Sequence, residues 1–147
     1  MRSKTAKKKW ETEAAAGIYA GISPDFSAEA ASLPLFERHV FVCHNTRPAG
    51  ARRSCSADGN SDLHARLRQL AKAAGLDDRV RINKSGCLDQ CEHGPVMVVY
   101  PEAVWYGNVQ PADAAEIVSE HLLAGRPVER LRLDDECINT KSCPHRD

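Results

Sequence analysis

The sequence predicts a single α/β domain built on a small mixed sheet, with elements in the order β-α-β-β-β-α. Two observations predict this class: short β-rich runs alternate with two segments of helical periodicity, and a length of 147 residues suits one domain. Composition agrees, because 42% hydrophobic and 27% charged residues are ordinary for a globular protein. We therefore expect one core formed by the sheet and two flanking helices.

The first strand and the first helix come early in this domain. Residues 38–43, RHVFVC, end in a β-rich run that predicts a strand delivering Cys43 at its carboxyl end. A turn-rich loop follows, and leucines at helical spacing then predict a helix over 61–74. Gly75, directly after that helix, is typical of a C-terminal stop.

The second half supplies three strands and the closing helix. Residues 79–83 alternate polar and apolar side chains, which predicts a second strand. The apolar run PVMVVYP predicts a central strand that is buried on both faces, and AVWYGNV after it predicts a hairpin partner. Pro111 then opens a helix with an apolar stripe, and Gly125 ends it.

Both ends of the chain differ in composition from this body. Residues 1–36 begin with a basic stretch and show no sustained periodicity, which predicts a disordered extension or a basic arm for an anionic partner. Residues 37–133 form the predicted domain, and residues 134–147 form a polar tail. The basic start leads into no apolar segment, and no run of about 18 apolar residues occurs, so we expect neither a secretory signal nor membrane insertion.

Charge and cysteine content narrow the function classes. Lys plus Arg and Asp plus Glu both number 20, and this lack of a basic excess argues against nucleic acid binding. We expect a cytoplasmic protein, in which a reducing environment disfavours structural disulfides. The six cysteines are therefore interpreted as metal ligands or reactive thiols.

Four of the cysteines form a constellation with the spacing C-x11-C-x31-C-x3-C, namely Cys43, Cys55, Cys87 and Cys91. The first two lie in or beside the loop after the first strand, and the other two lie in the loop after the second. If these strands are parallel neighbours, a right-handed crossover brings both loops to the same sheet edge, where four thiolates can converge. Such a set could hold an iron–sulfur cluster or a structural zinc ion, although the long first spacing fits zinc sites poorly. A dithiol oxidoreductase is disfavoured, because the x3 pair leads into a strand rather than a helix.

Beyond these patterns, the chain resembles a known family, the thioredoxin-like [2Fe–2S] ferredoxins. The resemblance rests on HVFVC at Cys43, the distant Cys55, the segment RINKSGCLDQCEHGPVMVVYPEAVWY and the closing helix, and it covers about residues 37–133. It implies a thioredoxin-like fold with one [2Fe–2S] cluster, bound by Cys43, Cys55, Cys87 and Cys91, and often a homodimer. The family is similar to a domain of the flavin-linked NADH dehydrogenase and hydrogenase complexes.

The resemblance further implies a low-potential one-electron carrier rather than an enzyme, with redox partner proteins as donor and acceptor. Two alternatives stay open at the level of the sequence. One is a zinc-stabilised interaction module. The other is an electron-transfer subunit that works only inside a larger redox complex.

The first loop carries three positive charges, at Arg47, Arg52 and Arg53, and no negative one. These side chains could stabilise the more negative, reduced form of the cluster, or they could dock a redox partner. A third interpretation is that they form only a solvated surface, because exposed charges usually contribute little.

The C-terminal tail holds two further cysteines, Cys137 and Cys143. We do not expect them to bind the cluster, because only Ile138 could anchor this polar segment by apolar burial, and ordering the segment costs chain entropy. A reversible disulfide or a separate metal ion, with His145 assisting, stays possible for this pair.

Overall fold

The fold is described by a computed structural model that covers residues 35–56, 62–139 and 141–146. The predicted N-terminal extension, residues 1–36, lies outside these described residues except for its last two positions. Within the described ranges, no helix is both long enough and apolar enough to cross a membrane.

Four strands form one mixed sheet. In chain order they are β1 (Arg38–Cys43), β2 (Val80–Ser85), β3 (Met97–Tyr100) and β4 (Val104–Tyr106), and in space their order is β2-β1-β3-β4. β1 pairs with β2 in parallel, whereas β3 runs antiparallel to both of its neighbours. The predicted mixed sheet is confirmed, and its parallel pair is the one from which the two cysteine loops emerge.

Two helices complete the predicted element order. α1 (Leu63–Ala73) spans most of the predicted helix 61–74, and Gly75 after it has a φ of +70°, a left-handed conformation that glycine adopts without strain. α2 (Ala114–Glu116) continues as a π-helical segment, Ile117–Leu123. The apolar stripe predicted a helix here but did not reveal its wider turns.

Both helices pack on one face of the sheet and share a single hydrophobic core with it. Along β1, Val40 and Val42 are buried in this core, while His39 and Phe41 alternate with them on the opposite face and are only half-buried. Helices therefore cover one face of the sheet, whereas in the part of the chain that the structure describes the other, the open face, carries half-buried rings, although Val98 there is buried. The core draws fully buried side chains from both helices and from the inner strands: Leu63, Leu67, Met97, Val99, Ile117 and Leu122.

A buried hydrogen-bonded pair ties the sheet to the second helical segment. The backbone amide of Val128 donates to the Tyr106 hydroxyl at 2.9 Å, and this hydroxyl oxygen lies 2.8 Å from Nδ1 of His121. Burial lowers the pKa of His121 and raises the pKa of Tyr106 to about 12, so both side chains are neutral at pH 7. The hydroxyl therefore donates to Nδ1, and one tyrosine joins β4, the helix and the segment after it without a buried charge.

Candidate metal centre

The parallel pairing of β1 and β2 brings two cysteine loops to one edge of the sheet. Cys43 ends β1 directly opposite Ser85 at the end of β2. The pairing continues one residue further, because the amide of His44 donates to the carbonyl of Ser85 at 3.0 Å. The prediction that both loops open at the same edge is therefore confirmed.

The second-loop pair, Cys87 and Cys91, lies where the site meets solvent. Their Sγ atoms are 3.5 Å apart, and Cys87 is exposed while Cys91 is buried. The guanidinium of Arg47 comes from the first loop and donates to both sulfurs, from Nη1 to Cys91 at 3.1 Å and from Nη2 to Cys87 at 3.2 Å. This forked pair of hydrogen bonds from one guanidinium connects the two loops across the site.

The first-loop pair, Cys43 and Cys55, is enclosed. Both residues are buried beside Val96, with Leu88 and Trp105 packed against them. Their side chains share a hydrogen bond. The structure thus brings the four predicted cysteines together as two pairs, of which one has apolar surroundings and the other meets a cation and water.

Hydrogen bonding sets the protonation of the enclosed pair. The hydrogen bond from Cys55 lowers the pKa of Cys43 to about 6, and the backbone amides of Leu88 and Asn45 act in the same direction. The same bond, together with burial, raises the pKa of Cys55. The shared hydrogen bond therefore favours the thiolate form of Cys43 over that of Cys55. A metal ion would complete this arrangement by displacing the remaining proton.

Burial and local hydrogen-bond donors shift the pKa values of Cys87 and Cys91 in opposite directions. Burial raises the pKa of Cys91. It also acts to raise the pKa of Cys87, but the amide of Asp89, 3.3 Å from that sulfur, outweighs it together with Cys91 and Arg47, so the pKa of Cys87 is lowered. Asp89 has a φ of 55°, a left-handed conformation that aspartate adopts more readily than most residues. The loop is thus folded so that the amide of Asp89 donates to the sulfur of Cys87.

Arg47 and Arg52 of the first loop are engaged with the site. Besides its sulfur contacts, Arg47 donates to the carbonyl of Arg53 at 2.7 Å. Arg52 forms ion pairs with Asp89, at 2.8 Å, and with Glu92. Of the interpretations raised from the sequence, a merely solvated loop is therefore wrong for Arg47 and Arg52. Their partners lie in the second loop, which the sequence of the first loop could not indicate.

The tail cysteines lie with a different group of side chains. Cys137, Cys143 and His145 gather around His93 of the second loop, and Nε2 of His93 is 3.2 Å from Sγ of Cys143. His93 comes two residues after Cys91, but its imidazole is turned towards the tail. Sequence reasoning missed this role of His93, because no pattern places the tail beside the second loop.

The donor set at the sheet edge fits a [2Fe–2S] cluster. Four cysteine sulfurs are the soft ligands that iron–sulfur clusters prefer, and backbone amides directed at sulfur stabilise their negative charge. Gly94 leaves the space that this packing needs, because a Cβ atom there would lie 3.1 Å from Sγ of Cys55 and 3.3 Å from the carbonyl oxygen of Cys91. The residues present can therefore hold the group that the resemblance implies.

Several curated proteins resemble the chain in sequence, two of which are described here, although no protein-family model matches it. One is a 2Fe-2S ferredoxin of Aquifex aeolicus (strain VF5), 44% identical over 96 residues, which are 64% of this chain and 86% of the relative. The other is a 2Fe-2S ferredoxin of Clostridium pasteurianum, 36% identical over 98 residues, which are 66% of this chain and 96% of the relative. Both alignments span most of the relative and leave part of this chain unmatched.

A solved structure gives the same result for the fold. The crystal structure of the wild-type thioredoxin-like [2Fe–2S] ferredoxin from Aquifex aeolicus matches with a TM-score of 0.65 and 40% sequence identity. The match covers 68% of this chain and 99% of that one. The predicted fold class is thereby confirmed, together with the resemblance from which it was inferred. This chain belongs to the thioredoxin-like [2Fe–2S] ferredoxins.

Proposed function

We propose that this protein carries single electrons on a [2Fe–2S] cluster bound by Cys43, Cys55, Cys87 and Cys91. The observation that supports this most directly is the arrangement of these thiols as two neighbouring pairs at one sheet edge. The relatives in the comparison are 2Fe-2S ferredoxins, which agrees with the same function. When bound, such a cluster supplies one-electron transfer and becomes one charge unit more negative on reduction.

The two cysteine pairs support an assignment of ligands to irons. We assign Cys43 and Cys55 to one iron, and Cys87 and Cys91 to the other. Each iron needs two terminal ligands besides the bridging sulfides, so four thiolates complete both. This leaves no coordination position for a substrate. A closed cluster of this kind suits an electron carrier better than an enzyme that binds its substrate at the metal.

Cys87 marks the side from which a redox partner would approach. It is the exposed member of the proposed ligand set, and the other three are buried. Donor and acceptor proteins would therefore dock over the second loop, beside Arg52, Asp89 and Glu92. Because these charges already pair with one another, we propose that docking there is weak and readily reversible.

We also propose a homodimer that forms through the open face of the sheet. This face presents a row of rings, with centroid distances of 6.4 Å between His39 and Phe41 and 6.3 Å between Phe41 and Tyr100. Tyr100 is 41% exposed. A second copy would cover an aromatic surface that the described residues leave partly exposed.

A cytoplasmic location is proposed on the chemistry of the thiols. None of the six cysteines forms a disulfide, and this includes the two neighbouring pairs within the site. Thiols that must remain available as metal ligands persist most readily in a reducing compartment. Fractionation of cells that produce the protein at native levels would check the location.

The ligand assignment predicts that Cys87→Ala or Cys91→Ala abolishes the cluster and lowers Tm, because metal binding energy is coupled to folding. The measurement is iron and acid-labile sulfide content, together with electron paramagnetic resonance of the dithionite-reduced protein. Cys143→Ala is the matched control, which removes a buried thiol elsewhere and should leave both contents unchanged. A wild-type signal from either ligand variant would refute the assignment.

The packing around Gly94 predicts that Gly94→Ala weakens cluster retention. A Cβ atom there presses on Sγ of Cys55, and overpacking of this kind costs about 1–3 kcal/mol. We expect cluster loss in guanidinium, followed by visible absorbance, to be several-fold faster than in the wild type. Gly86→Ala is the control in the same loop, because a Cβ atom at Gly86 meets nothing within 4 Å. Equal rates in the two variants would show that the space at Gly94 is not needed.

The position of Arg47 predicts its effect on the reduction potential. The guanidinium favours the more negative, reduced state, so Arg47→Gln should make the potential more negative by on the order of tens of millivolts, because the shift reflects only the difference between its interactions with the two redox states. Arg47→Lys, which keeps the charge but loses the fork, should give a smaller shift. Potentiometric titration measures both, with Arg66→Gln on the surface of α1 as the control. A positive shift in the Gln variant would contradict this role.

The dimer proposal predicts that Tyr100→Glu converts the protein to a monomer, because the new charge would be buried in the contact. Sedimentation velocity of the cluster-loaded protein measures the change. Leu123→Glu, at a residue 50% exposed on the helical side, should leave the dimer intact. A wild-type protein that sediments as a monomer would end the proposal.

A further inference from the structure

Four side chains that the proposed cluster does not use form a compact group beside it. His93, Cys137, Cys143 and His145 each direct one ligand atom into a region where all four atoms lie within 4.8 Å of one another. Nε2 of His93 is 3.2 Å from Sγ of Cys143, and Nδ1 of His145 is 3.8 Å from Sγ of Cys143 and 3.9 Å from Sγ of Cys137.

The two thiols of this group are buried. Cys137 and Cys143 are only 7% and 6% exposed, although they belong to a polar tail whose other apolar side chain, Ile138, is half-buried. Both thiols are free rather than joined in a disulfide. The imidazoles of His93 and His145 lie beside them, and these two rings meet edge-on at 5.1 Å. Buried thiols that face nitrogen donors form the kind of environment in which a metal ion is bound.

The tail is held against the second loop on both sides of the group. Nε2 of Gln90 donates to Oδ1 of Asn139 at 3.1 Å, and Nη2 of Arg146 lies 3.1 Å from Oδ2 of Asp89. These contacts set the tail cysteines opposite His93, which is itself fixed because its carbonyl accepts the Asn108 amide at 2.7 Å. The four donors therefore come from two segments that are positioned independently of any ion.

We propose that His93, Cys137, Cys143 and His145 form a second metal site, a closed Cys₂His₂ site for zinc. Ligand atoms around tetrahedral zinc, at bond lengths of about 2.0–2.3 Å, are separated from one another by about 3.3–3.8 Å. Three of the separations between the ligand atoms, 3.2, 3.8 and 3.9 Å, lie in or close to this range, and all of them lie within 4.8 Å. Small rotations of the imidazole and thiol groups would complete the tetrahedron.

The donor chemistry selects the ion. Two sulfurs and two imidazole nitrogens suit the borderline-soft Zn²⁺ ion, whereas Mg²⁺ and Ca²⁺ prefer oxygen. Binding forms two Zn–S and two Zn–N bonds, and the two thiol protons leave to solvent, so the site becomes neutral and no electron is transferred. Four protein ligands leave no open position, which makes the site structural. It would fasten the tail to the loop that contains two of the proposed cluster ligands.

Metal content and X-ray absorption of the full-length, cluster-loaded protein test the proposal. The protein is purified under reducing conditions from zinc-supplemented cells, and we expect about one zinc per chain in addition to iron and sulfide. The zinc-edge spectrum should fit two sulfurs at about 2.3 Å and two nitrogens at about 2.0–2.1 Å. Cys137→Ser/Cys143→Ser should lose the zinc and keep iron and sulfide. Cys87→Ala should lose iron and sulfide and keep the zinc. These opposite results would show that the zinc site and the proposed cluster are distinct.

A milder variant guards against misfolding of the double mutant. His145 is exposed, so His145→Ala should fold normally yet weaken zinc binding by at least about tenfold in competition with a chromophoric chelator. His39→Ala, which removes a histidine on the open face of the sheet, should leave zinc binding unchanged.

Three results would overturn the proposal. One is wild-type protein that contains iron and sulfide but no zinc under these conditions. The second is a zinc spectrum with four sulfur ligands, which would place the ion among Cys43, Cys55, Cys87 and Cys91. The third is zinc affinity that His145→Ala and the double variant leave unchanged.

Discussion

The parallel hydrogen bonding between β1 and β2 is the constraint on which the rest of the molecule depends. It sets the ends of both strands level, so the loops that follow Cys43 and Ser85 leave the sheet at the same edge. It also fixes the side to which Cys43 points, because Val42 before it belongs to the core and successive side chains alternate. A shift of one residue would turn the thiol towards the helices. The pairing register thus decides whether four distant cysteines can meet.

Thiolate sulfurs that are brought close together repel one another. The surroundings that offset this negative charge differ between the two cysteine pairs. Around Cys43 and Cys55 there are apolar side chains, and backbone amides donate to the sulfur of Cys43, with the charge of Arg47 as a weaker influence. Around Cys87 and Cys91 the forked guanidinium of Arg47 spans both sulfurs. An electron shared between these pairs would experience two unequal environments, and the polar one lies at the surface.

Much of this could be predicted from the sequence, for reasons that are visible in particular residues. The leucines of α1, the alternation in β2 and the apolar run of β3 are local patterns, and local patterns determine element type well. The cysteine spacing indicated a common edge once the strands were taken as parallel. The reach of Arg47 to the opposite loop, the pairing of Arg52 with acidic residues there, and the meeting of His93 with the tail could not be predicted. Each joins residues that are far apart in the sequence, and no periodicity encodes such contacts.

The two outer strands of the sheet, β4 and β2, are both protected against pairing with a strand of another molecule. β4 is followed by a chain segment that returns alongside it, with Arg132 bridging to Tyr106 and the amide of Leu133 donating to the carbonyl of Trp105 at 2.8 Å. β2 forms the other border, and there the exposed positions are Arg81 and Lys84. Charged side chains on a border strand oppose pairing with a strand of another molecule. A protein whose site must be assembled from free thiols spends time without its metal, and this protection against aggregation matters most in that interval.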